Sequence, residues 1–318
     1  MHKLHVSLLL ASLVALTACQ AIVRGAIKGG INDGLAVAGP PGSDFQKLAD
    51  DLYTYRWLGY RTAFVTTPDG VVLFDPLNAR ASTEIKAHLA ELAPGNPHVK
   101  IIVYSHNHAD HESGAAVFAD DAPRIIATAN AAADIAAHPS PEVVAPTETF
   151  SEPEKTLAFG GVTLELIHLP NGHTNDMLAI HIPHDRAVFA VDGPHVKMVP
   201  PIGAPYTSFH GALDQIDRIQ QIDYDTIIPG HGAWGTKKDV VAYRQMLVDI
   251  RDALLRQAAA RGLKDFHDGR FFQPDVLGDV LFAAIDELTP KYGAWRGWKE
   301  FQVADFDWVM TQGIYMNE

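Results

Sequence analysis

The chain has 318 residues, of which 47% are hydrophobic and 20% charged, an ordinary composition for a globular protein with a sizeable core. Its formal net charge is −13, which argues against a nucleic-acid partner because phosphate binding needs an excess of Lys and Arg. It contains 16 His but only one Cys, Cys19. A disulfide within the chain and a metal–thiolate cluster are therefore excluded, and any metal ligands must be His and carboxylate.

The N-terminus has the features of an export signal. A weakly basic start precedes an apolar run at residues 6–18, which is too short to span a bilayer. The run ends in a Leu-Thr-Ala-Cys sequence at residues 16–19, which resembles the lipobox of bacterial lipoproteins. In that motif the Cys is acylated and becomes the new N-terminus. We therefore interpret residues 1–19 as a signal peptide with a lipobox.

In this interpretation Cys19 is the lipidation site, and the chain is attached to a membrane through the lipid anchor. It predicts a location in the cell envelope, and Gln20 after the Cys favours the outer membrane, facing the periplasm. The alternative is an ordinary cleaved signal with an incidental Cys, which would give a secreted or periplasmic protein.

Residues 20–43 contain six Gly and a Pro-Pro pair, a composition typical of a tether. We expect the globular domain to occupy residues 44–318, with its core at about 50–235 and a helical extension at about 236–318. Short apolar or alternating stretches predict strands at 52–58, 60–66, 71–74, 99–104, 124–128, 163–169, 177–182, 187–191 and 226–228.

Helical periodicity predicts helices at 81–92, 130–138 and 207–222. Strands in two groups with helices between them indicate a layered sandwich whose sheets are covered by helices. The C-terminal aromatic residues are expected to pack on this sandwich, or else to cover a substrate pocket; they are Tyr292, Trp295, Trp298, Phe301, Phe306 and Trp308.

The strongest indication of chemistry directly follows the largely apolar stretch 99–104. There the chain reads His106-x-His108-x-Asp110-His111, four potential metal ligands within six residues. Loops at strand ends are where a rigid scaffold presents functional groups. Neutral imidazole and carboxylate are the natural ligands of zinc and similar divalent metals. The motif therefore predicts a metal site at the end of this strand.

The motif resembles the signature of the metallo-β-lactamase fold superfamily, and three later positions agree with that family in order and context. His173 lies in a Gly-His-Thr sequence after a strand, Asp192 ends a further strand, and His231 lies in a Pro-Gly-His turn. The resemblance covers about residues 50–235. It implies an α+β fold, a four-layer αββα sandwich with metals at one edge, here with a C-terminal helical extension.

The resemblance also implies a role for each matching position. The first zinc ion would be held by His106, His108 and His173, the second by Asp110, His111 and His231, and both by a bridging Asp192. A hydroxide shared by two zinc ions would then attack the substrate, with Asp110 as the catalytic residue that orients it and passes its proton on. Asp75, which follows a predicted strand, either orients a ligand His or caps a turn.

Two features of the sequence bear on which branch of the family the chain resembles. The Cys ligand of the commonest zinc β-lactamases is absent. The Asp at position 192 instead resembles the ligand found in the lactonase and glyoxalase II branches. Glu112-Ser113-Gly114 departs from the usual Gly-Gly continuation of the motif. We expect His195 and His210, which lie near the site in sequence, to be pocket-wall or surface residues.

We therefore expect a zinc-dependent hydrolase, with two Zn²⁺ per chain, that acts on a small-molecule ester, lactone, thioester or amide and prefers lactones and esters. The alternatives are a β-lactamase and a mononuclear iron oxidoreductase similar to the persulfide dioxygenases, which share the scaffold. A non-catalytic metal-storage lipoprotein is a further possibility, but the complete set of seven ligands favours a two-metal enzyme.

Overall fold

The computed structural model describes residues 41–200, 208–263, 270 and 273–315. The predicted signal peptide, Cys19 and the predicted tether up to residue 40 lie outside these residues, as does the side chain of Phe301. No helix in the described ranges is long and apolar enough to cross a membrane.

The strands are β1 (Ser43–Lys47), β2 (Leu52–Trp57), β3 (Tyr60–Thr67), β4 (Gly70–Phe74), β5 (Val99–Val103), β6 (Arg124–Thr128), β7 (Glu148–Phe150), β8 (Glu154–Phe159), β9 (Val162–His168), β10 (Leu178–Ile182), β11 (Ala187–Ala190), β12 (Thr226–Ile228) and β13 (Gly235–Thr236). The α-helices are α1 (Ala79–Leu92), α2 (Ala109–Glu112), α3 (Ala129–Ala137), α4 (Phe209–Gln221), α5 (Lys237–Ala260), α6 (Pro274–Tyr292) and α7 (Trp298–Met310). A 3₁₀ segment spans Ala115–Asp121, and a π-helical turn spans Thr311–Tyr315.

The strands form two mixed sheets. The first sheet has the order β1-β2-β3-β4-β5-β6-β7; its pairs are antiparallel from β1 to β4 and parallel from β4 to β7. The second has the order β13-β12-β11-β10-β9-β8, in which only β11 and β12 pair in parallel. Consequently β9, β11 and β12 run in the same direction, and their carboxyl ends meet at one edge of the sheet.

The two sheets pack face to face, and the side chains of each strand alternate between this interface and the outer face. In β4, Val72 and Phe74 point into a core shared with the second sheet, where the ring of Phe74 lies 5.6 Å from that of Phe189. Their neighbours Val71 and Leu73 point the other way, into a core formed with the helices of the first sheet. Because side chains alternate with a period of two, one strand serves both cores.

Helices cover both outer faces. Ile85 and Leu89 of α1 are buried against the first sheet. On the second sheet α4 and α5 pack over β9 to β12, and α6 and α7 extend the same core. The layers are therefore helix, sheet, sheet, helix, as the resemblance implied. Substituting a large apolar side chain in any of these cores by Ala would cost about 2–5 kcal/mol.

The C-terminal extension belongs to this core. Trp298 and Phe306 are fully buried, and Trp295 is partly buried against them. The prediction that the aromatic residues pack on the sandwich is confirmed for the described side chains. The extension also reaches the site region, because the backbone N–H of Val199 donates to Arg296 O at 3.0 Å.

The sequence-based boundaries agree with the structure to within two residues for most elements. Four strands were not predicted, β1, β7, β8 and β13, and neither was α2. Strand β1 begins at Ser43, the last residue of the predicted tether, and pairs with β2 along its whole length.

Candidate metal centre

The ends of four strands position the seven predicted ligands. His106, His108, Asp110 and His111 follow β5, with His108 as the N-cap residue of the short helix α2. His173 lies between β9 and β10, Asp192 follows β11, and His231 follows β12. A backbone hydrogen bond from Leu178 N to Ser105 O, 2.9 Å long, joins the two sheets beside the site. The structure thus brings all seven side chains together at one edge of the sandwich.

One group consists of His106, His108, His173 and Asp192, whose candidate ligand atoms lie within 4.8 Å of one another. His173 Nε2 lies 3.0 Å from His108 Nδ1 and 3.3 Å from Asp192 Oδ2. His106 Nε2 lies 3.5 Å from the same carboxylate oxygen. Ligands of a tetrahedral ion with bonds of about 2.0–2.1 Å are separated by about 3.3 Å. The spacing of this group therefore fits one metal ion.

The second group consists of Asp110, His111 and His231. His111 Nε2 lies 3.3 Å from His231 Nε2 and 3.5 Å from Asp110 Oδ2, and His231 Nε2 lies 3.9 Å from that oxygen. These separations fit a second ion by the same criterion.

Asp192 spans both groups. Its Oδ2 lies 3.3 Å from Nε2 of His111 as well as from that of His173, and its Oδ1 lies 3.1 Å from His231 Nε2. Its backbone is left-handed, with φ of 52°. A non-Gly residue held in this region is strained, and such strain is often found at functional sites. The arrangement allows one carboxylate to contact two ions.

Asp192 and His106 have the ionisation states that metal ligands need, whereas His111 does not. Burial alone would raise the pKa of Asp192, but His231 and His111 hold this pKa well below its usual range. Burial lowers the pKa of His106 well below its usual value. Burial would also lower the pKa of His111, but Asp192 and neighbouring carboxylates raise it to about 9. Metal binding must therefore displace a proton from His111.

Asp75 supports the ligand loop from behind. Its carboxylate is fully buried and accepts hydrogen bonds from Ser105 N at 2.7 Å and Ser105 Oγ at 2.6 Å. Ser105 Oγ lies 2.9 Å from His106 Nδ1. Since the hydroxyl hydrogen is committed to Asp75, the oxygen accepts from Nδ1–H of His106. The Nε2 lone pair, which has no hydrogen-bond partner, then faces Asp192.

Asp75 also approaches the second group directly. Its Oδ2 lies 3.7 Å from His111 Nδ1, an electrostatic contact longer than a hydrogen bond. Burial raises the pKa of Asp75 to about 7, although His111 and the bonds from Ser105 oppose this shift. Asp75 therefore holds Ser105 and faces His111, and does not merely cap a turn.

Two positioning residues were missed by the sequence analysis. Ser105 is one, and its place directly before the motif was the only indication. The other is Gln215 of α4, whose Oε1 accepts from His173 N at 3.2 Å. Gln215 is buried on the apolar face of its helix, beside Ile216 and Ile219. A polar residue on such a face was the signal that could have revealed it.

The turn that carries His231 is held by the first sheet. Arg61 N donates to Gly230 O at 2.7 Å, and Arg61 Nε donates to Gly232 O at 2.9 Å. Tyr60 pairs with His231 as an isolated bridge, and their rings are 5.0 Å apart. A Cβ on Gly230 would lie 2.8 Å from His111 Cε1, which is too close for a side chain. Gly at position 230 therefore allows His231 and His111 to approach each other.

His195 and His210 lie in neither group of ligands among the described residues, and His210 lies on α4 beside Phe209. The His195 ring is 1% exposed and lies 6.3 Å from the ring of His231 and 5.4 Å from that of Tyr243. Burial lowers the pKa of His195 to about 3.

This fold and this cluster define a class of protein. Residues 56–231, more than half of the chain, match the sequence model of the Metallo-beta-lactamase superfamily. The chain therefore belongs to this superfamily and carries its His/Asp metal-binding cluster.

The chain is also similar to individual proteins. The 2,4-dinitroanisole O-demethylase subunit alpha of Nocardioides sp. (strain JS1661) is 29% identical over 246 residues, which are 72% of this chain and 73% of that protein. A metallo-beta-lactamase from Pontibacter korlensis has a TM-score of 0.55 at 20% identity, covering 64% of this chain and 99% of its own. VMB-1 also has a TM-score of 0.55, at 16% identity over 65% of this chain and 97% of its own. The two structures support the fold.

Proposed function

We propose that the chain is a hydrolase with two zinc ions, one in each group of ligands. The single observation that carries this proposal is the position of Asp192, whose two oxygens face His231 on one side and His173 on the other. A site for one ion would leave Asp110, His111 and His231 without a function at spacings that suit a metal.

The chemistry follows from what two such ions supply. Two zinc ions held by these groups would lower the pKa of a bound water towards 7 and would stabilise charge on the attacking and leaving oxygens. Asp110 is the exposed carboxylate of the cluster, with 42% of its side chain accessible. It therefore accepts a hydrogen bond from the nucleophile and passes the proton on to the leaving group. The buried His residues keep their positions through Ser105 and Gln215.

We propose lactones and carboxylic esters as the preferred substrates, ahead of thioesters and amides. Asp192 and the six other ligands would hold two zinc ions, whose positive charge would support an anionic oxygen leaving group. An amide nitrogen is a poorer leaving group and needs protonation as it departs. β-Lactam hydrolysis is therefore expected to be slower.

A second candidate is the hydrolysis of an activated aryl methyl ether. Its support is the resemblance to the 2,4-dinitroanisole O-demethylase subunit alpha over 72% of this chain. In such a reaction a hydroxide replaces the methoxy group of an electron-poor ring, giving a phenol and methanol, so the same nucleophile would serve. Because that relative is named as one subunit, this activity would also imply a second chain as a partner.

We also propose that the mature protein is attached to a membrane through acylated Cys19, facing the periplasm. The support is the sequence at residues 16–19 alone, since Cys19 lies outside the described residues.

One substrate panel tests the function. We would measure kcat/KM of the zinc-loaded protein for an acyl-homoserine lactone, a p-nitrophenyl ester, an acyl thioester, nitrocefin and 2,4-dinitroanisole. The proposal expects the lactone or the ester to have the highest value. A far higher kcat/KM for nitrocefin would show that the chain is a β-lactamase. A far higher kcat/KM for 2,4-dinitroanisole would favour hydrolysis of an aryl methyl ether.

A further inference from the structure

Glu112 is a buried acidic side chain that the metal cluster does not use. It ends α2, directly after the candidate ligands Asp110 and His111, and is 2% exposed. Its Oε2 is enclosed and has no hydrogen-bond partner among the described residues. A buried carboxylate is unfavourable unless it is paired with a positive charge or neutralised by a proton. Glu112 therefore needs a partner that the surrounding chain does not supply.

Glu112 lines a cavity of about 100 Å³ that is separate from the metal cluster. On one side the lining consists of Asn107, Ala109 and Glu112; on the other it consists of residues of α3 and of the segment after it, Asp134, Ile135, His138, Ser140 and Val143. None of the seven candidate zinc ligands lines this cavity. The segment 106–112 therefore presents one set of side chains to the metal cluster and another set to the cavity.

The surroundings of the cavity are acidic. Asp134 adds a second carboxylate to the lining, and the lining that the structure describes contains no Lys or Arg. Asp176 is also buried, and its Oδ2 has no hydrogen-bond partner among the described residues. Burial, together with the negative charges of Asp75 and Asp176, raises the pKa of Glu112 to about 8. A cation bound in the cavity would be attracted by this excess of negative charge.

The chemistry of the lining indicates which kind of cation fits. Most of the candidate donors are oxygens, from the carboxylates of Glu112 and Asp134, the amide of Asn107 and the hydroxyl of Ser140. Oxygen is the ligand that Mg²⁺ and Ca²⁺ prefer. Among the described residues, Glu112 belongs to no group of three acidic or His side chains close enough to surround one bare ion. A cation in this cavity must therefore keep part of its hydration shell, as Mg²⁺ does when one or two carboxylates hold it.

We propose that this cavity binds a hydrated divalent cation, Mg²⁺ or Ca²⁺, between the carboxylates of Glu112 and Asp134. The cation joins α2, which carries Asp110 and His111, to α3, and so steadies the segment 106–112 from the side that faces away from the zinc ligands. It also replaces the proton that Glu112 would otherwise keep. The site does not depend on the proposed hydrolase function, because none of its residues belongs to the zinc cluster.

Thermal unfolding of the zinc-loaded protein tests the site without an activity assay. We would compare the Tm in about 10 mM MgCl₂ or CaCl₂ with the Tm in NaCl of equal ionic strength, and measure the zinc content before and after. A site with a Kd of about 1 mM for one of the two cations would raise the Tm by about 2–4 °C in its chloride, and the shift would saturate with concentration. The zinc content should stay constant.

Three variants locate the site. Glu112→Gln keeps the shape of the side chain and removes its charge, so it should abolish the shift in Tm, and Asp134→Asn should reduce it. The matched control is Asp120→Asn, in the same helical layer, whose side chain is 95% exposed and which should keep the full shift. No shift in the wild type with either chloride, an undiminished shift in Glu112→Gln or Asp134→Asn, or a shift that follows a change in zinc content would overturn the proposal. If Glu112→Gln does not fold, the half-buried Asp134→Asn decides the matter alone.

Discussion

Oδ1 of Asp192 lies 3.1 Å from Nε2 of His231, although the two residues follow different strands of the second sheet. The contact exists because β11 and β12 run in parallel and end at the same edge. The other oxygen of Asp192 faces His173 at 3.3 Å. One side chain therefore joins the two halves of the metal cluster, and it is the most informative position for mutation.

We expect Asp192→Asn to remove at least one of the two metal ions and to abolish hydrolysis. The amide keeps the shape of the side chain but offers one neutral oxygen in place of a bridging carboxylate. Elemental analysis of the purified variant measures the loss. A matched control is Asp176→Asn, because Asp176 is also buried and close in sequence to His173 but lies outside both groups. Full metal content in Asp192→Asn would show that this carboxylate does not bridge.

Asp110→Asn tests the proton-transfer role. The side chain is 42% exposed, so we expect the fold to be retained and the stability to change little. Turnover should fall by about 10²–10⁴-fold, the typical cost of losing a general base. Steady-state kinetics on the preferred ester, with circular dichroism as a check of folding, decides the matter. Turnover close to that of the wild type would remove Asp110 from the proposed mechanism.

The motif at residues 106–111 and most strands could be predicted from local sequence patterns, whereas His173, Asp192, His231 and the four-layer arrangement were implied by the family resemblance. His106 to His111 stand directly after an apolar strand, and the β6 and β12 boundaries agree with the prediction at both ends. Strands β1 and β8 were missed because they lie at sheet edges, and of the six residues of β8 only Leu157 is buried. An edge strand of this kind lacks the apolar alternation on which prediction depends.

The supporting residues could not be predicted, for a different reason. Ser105 and Gln215 act through partners distant in sequence, Asp75 and His173 respectively. A hydrogen bond between such positions leaves no periodic trace in the chain.

Asp305 of α7 offers a test of pH-dependent stability away from the metal cluster. Burial raises the pKa of this carboxyl well above its usual value, and its Oδ2 has no hydrogen-bond partner. The folded chain therefore keeps a proton that the unfolded chain releases near pH 4. It follows that Asp305 destabilises the fold increasingly as the pH rises above that value.

Asp305→Asn should accordingly stabilise the fold by about 1–3 kcal/mol at pH 8, and by much less near pH 4. Urea denaturation of the wild type and the variant at several pH values measures the difference. Asp307→Asn, an exposed change in the same helix, serves as the control and should have little effect at any pH. A constant difference across this pH range would contradict the assignment.

Cys19→Ser tests the anchor. We expect it to move the protein from the membrane fraction to the soluble periplasm or the medium, because the acyl chains would hold it at the membrane, at about 0.8 kcal/mol per buried methylene. Fractionation of the native host, with metabolic labelling by a fatty acid, follows the change. A wild-type protein that is already fully soluble would show that the leader is an ordinary cleaved signal.

Metal analysis coupled to an activity assay tests whether two zinc ions in this cluster carry out hydrolysis. We would determine the metal content of the purified chain, remove the metal with a chelator, and restore it while following ester hydrolysis. We expect about two zinc ions per chain, loss of hydrolysis on chelation and its recovery with zinc. One tightly held iron and no zinc would contradict it and would favour a mononuclear iron oxidoreductase.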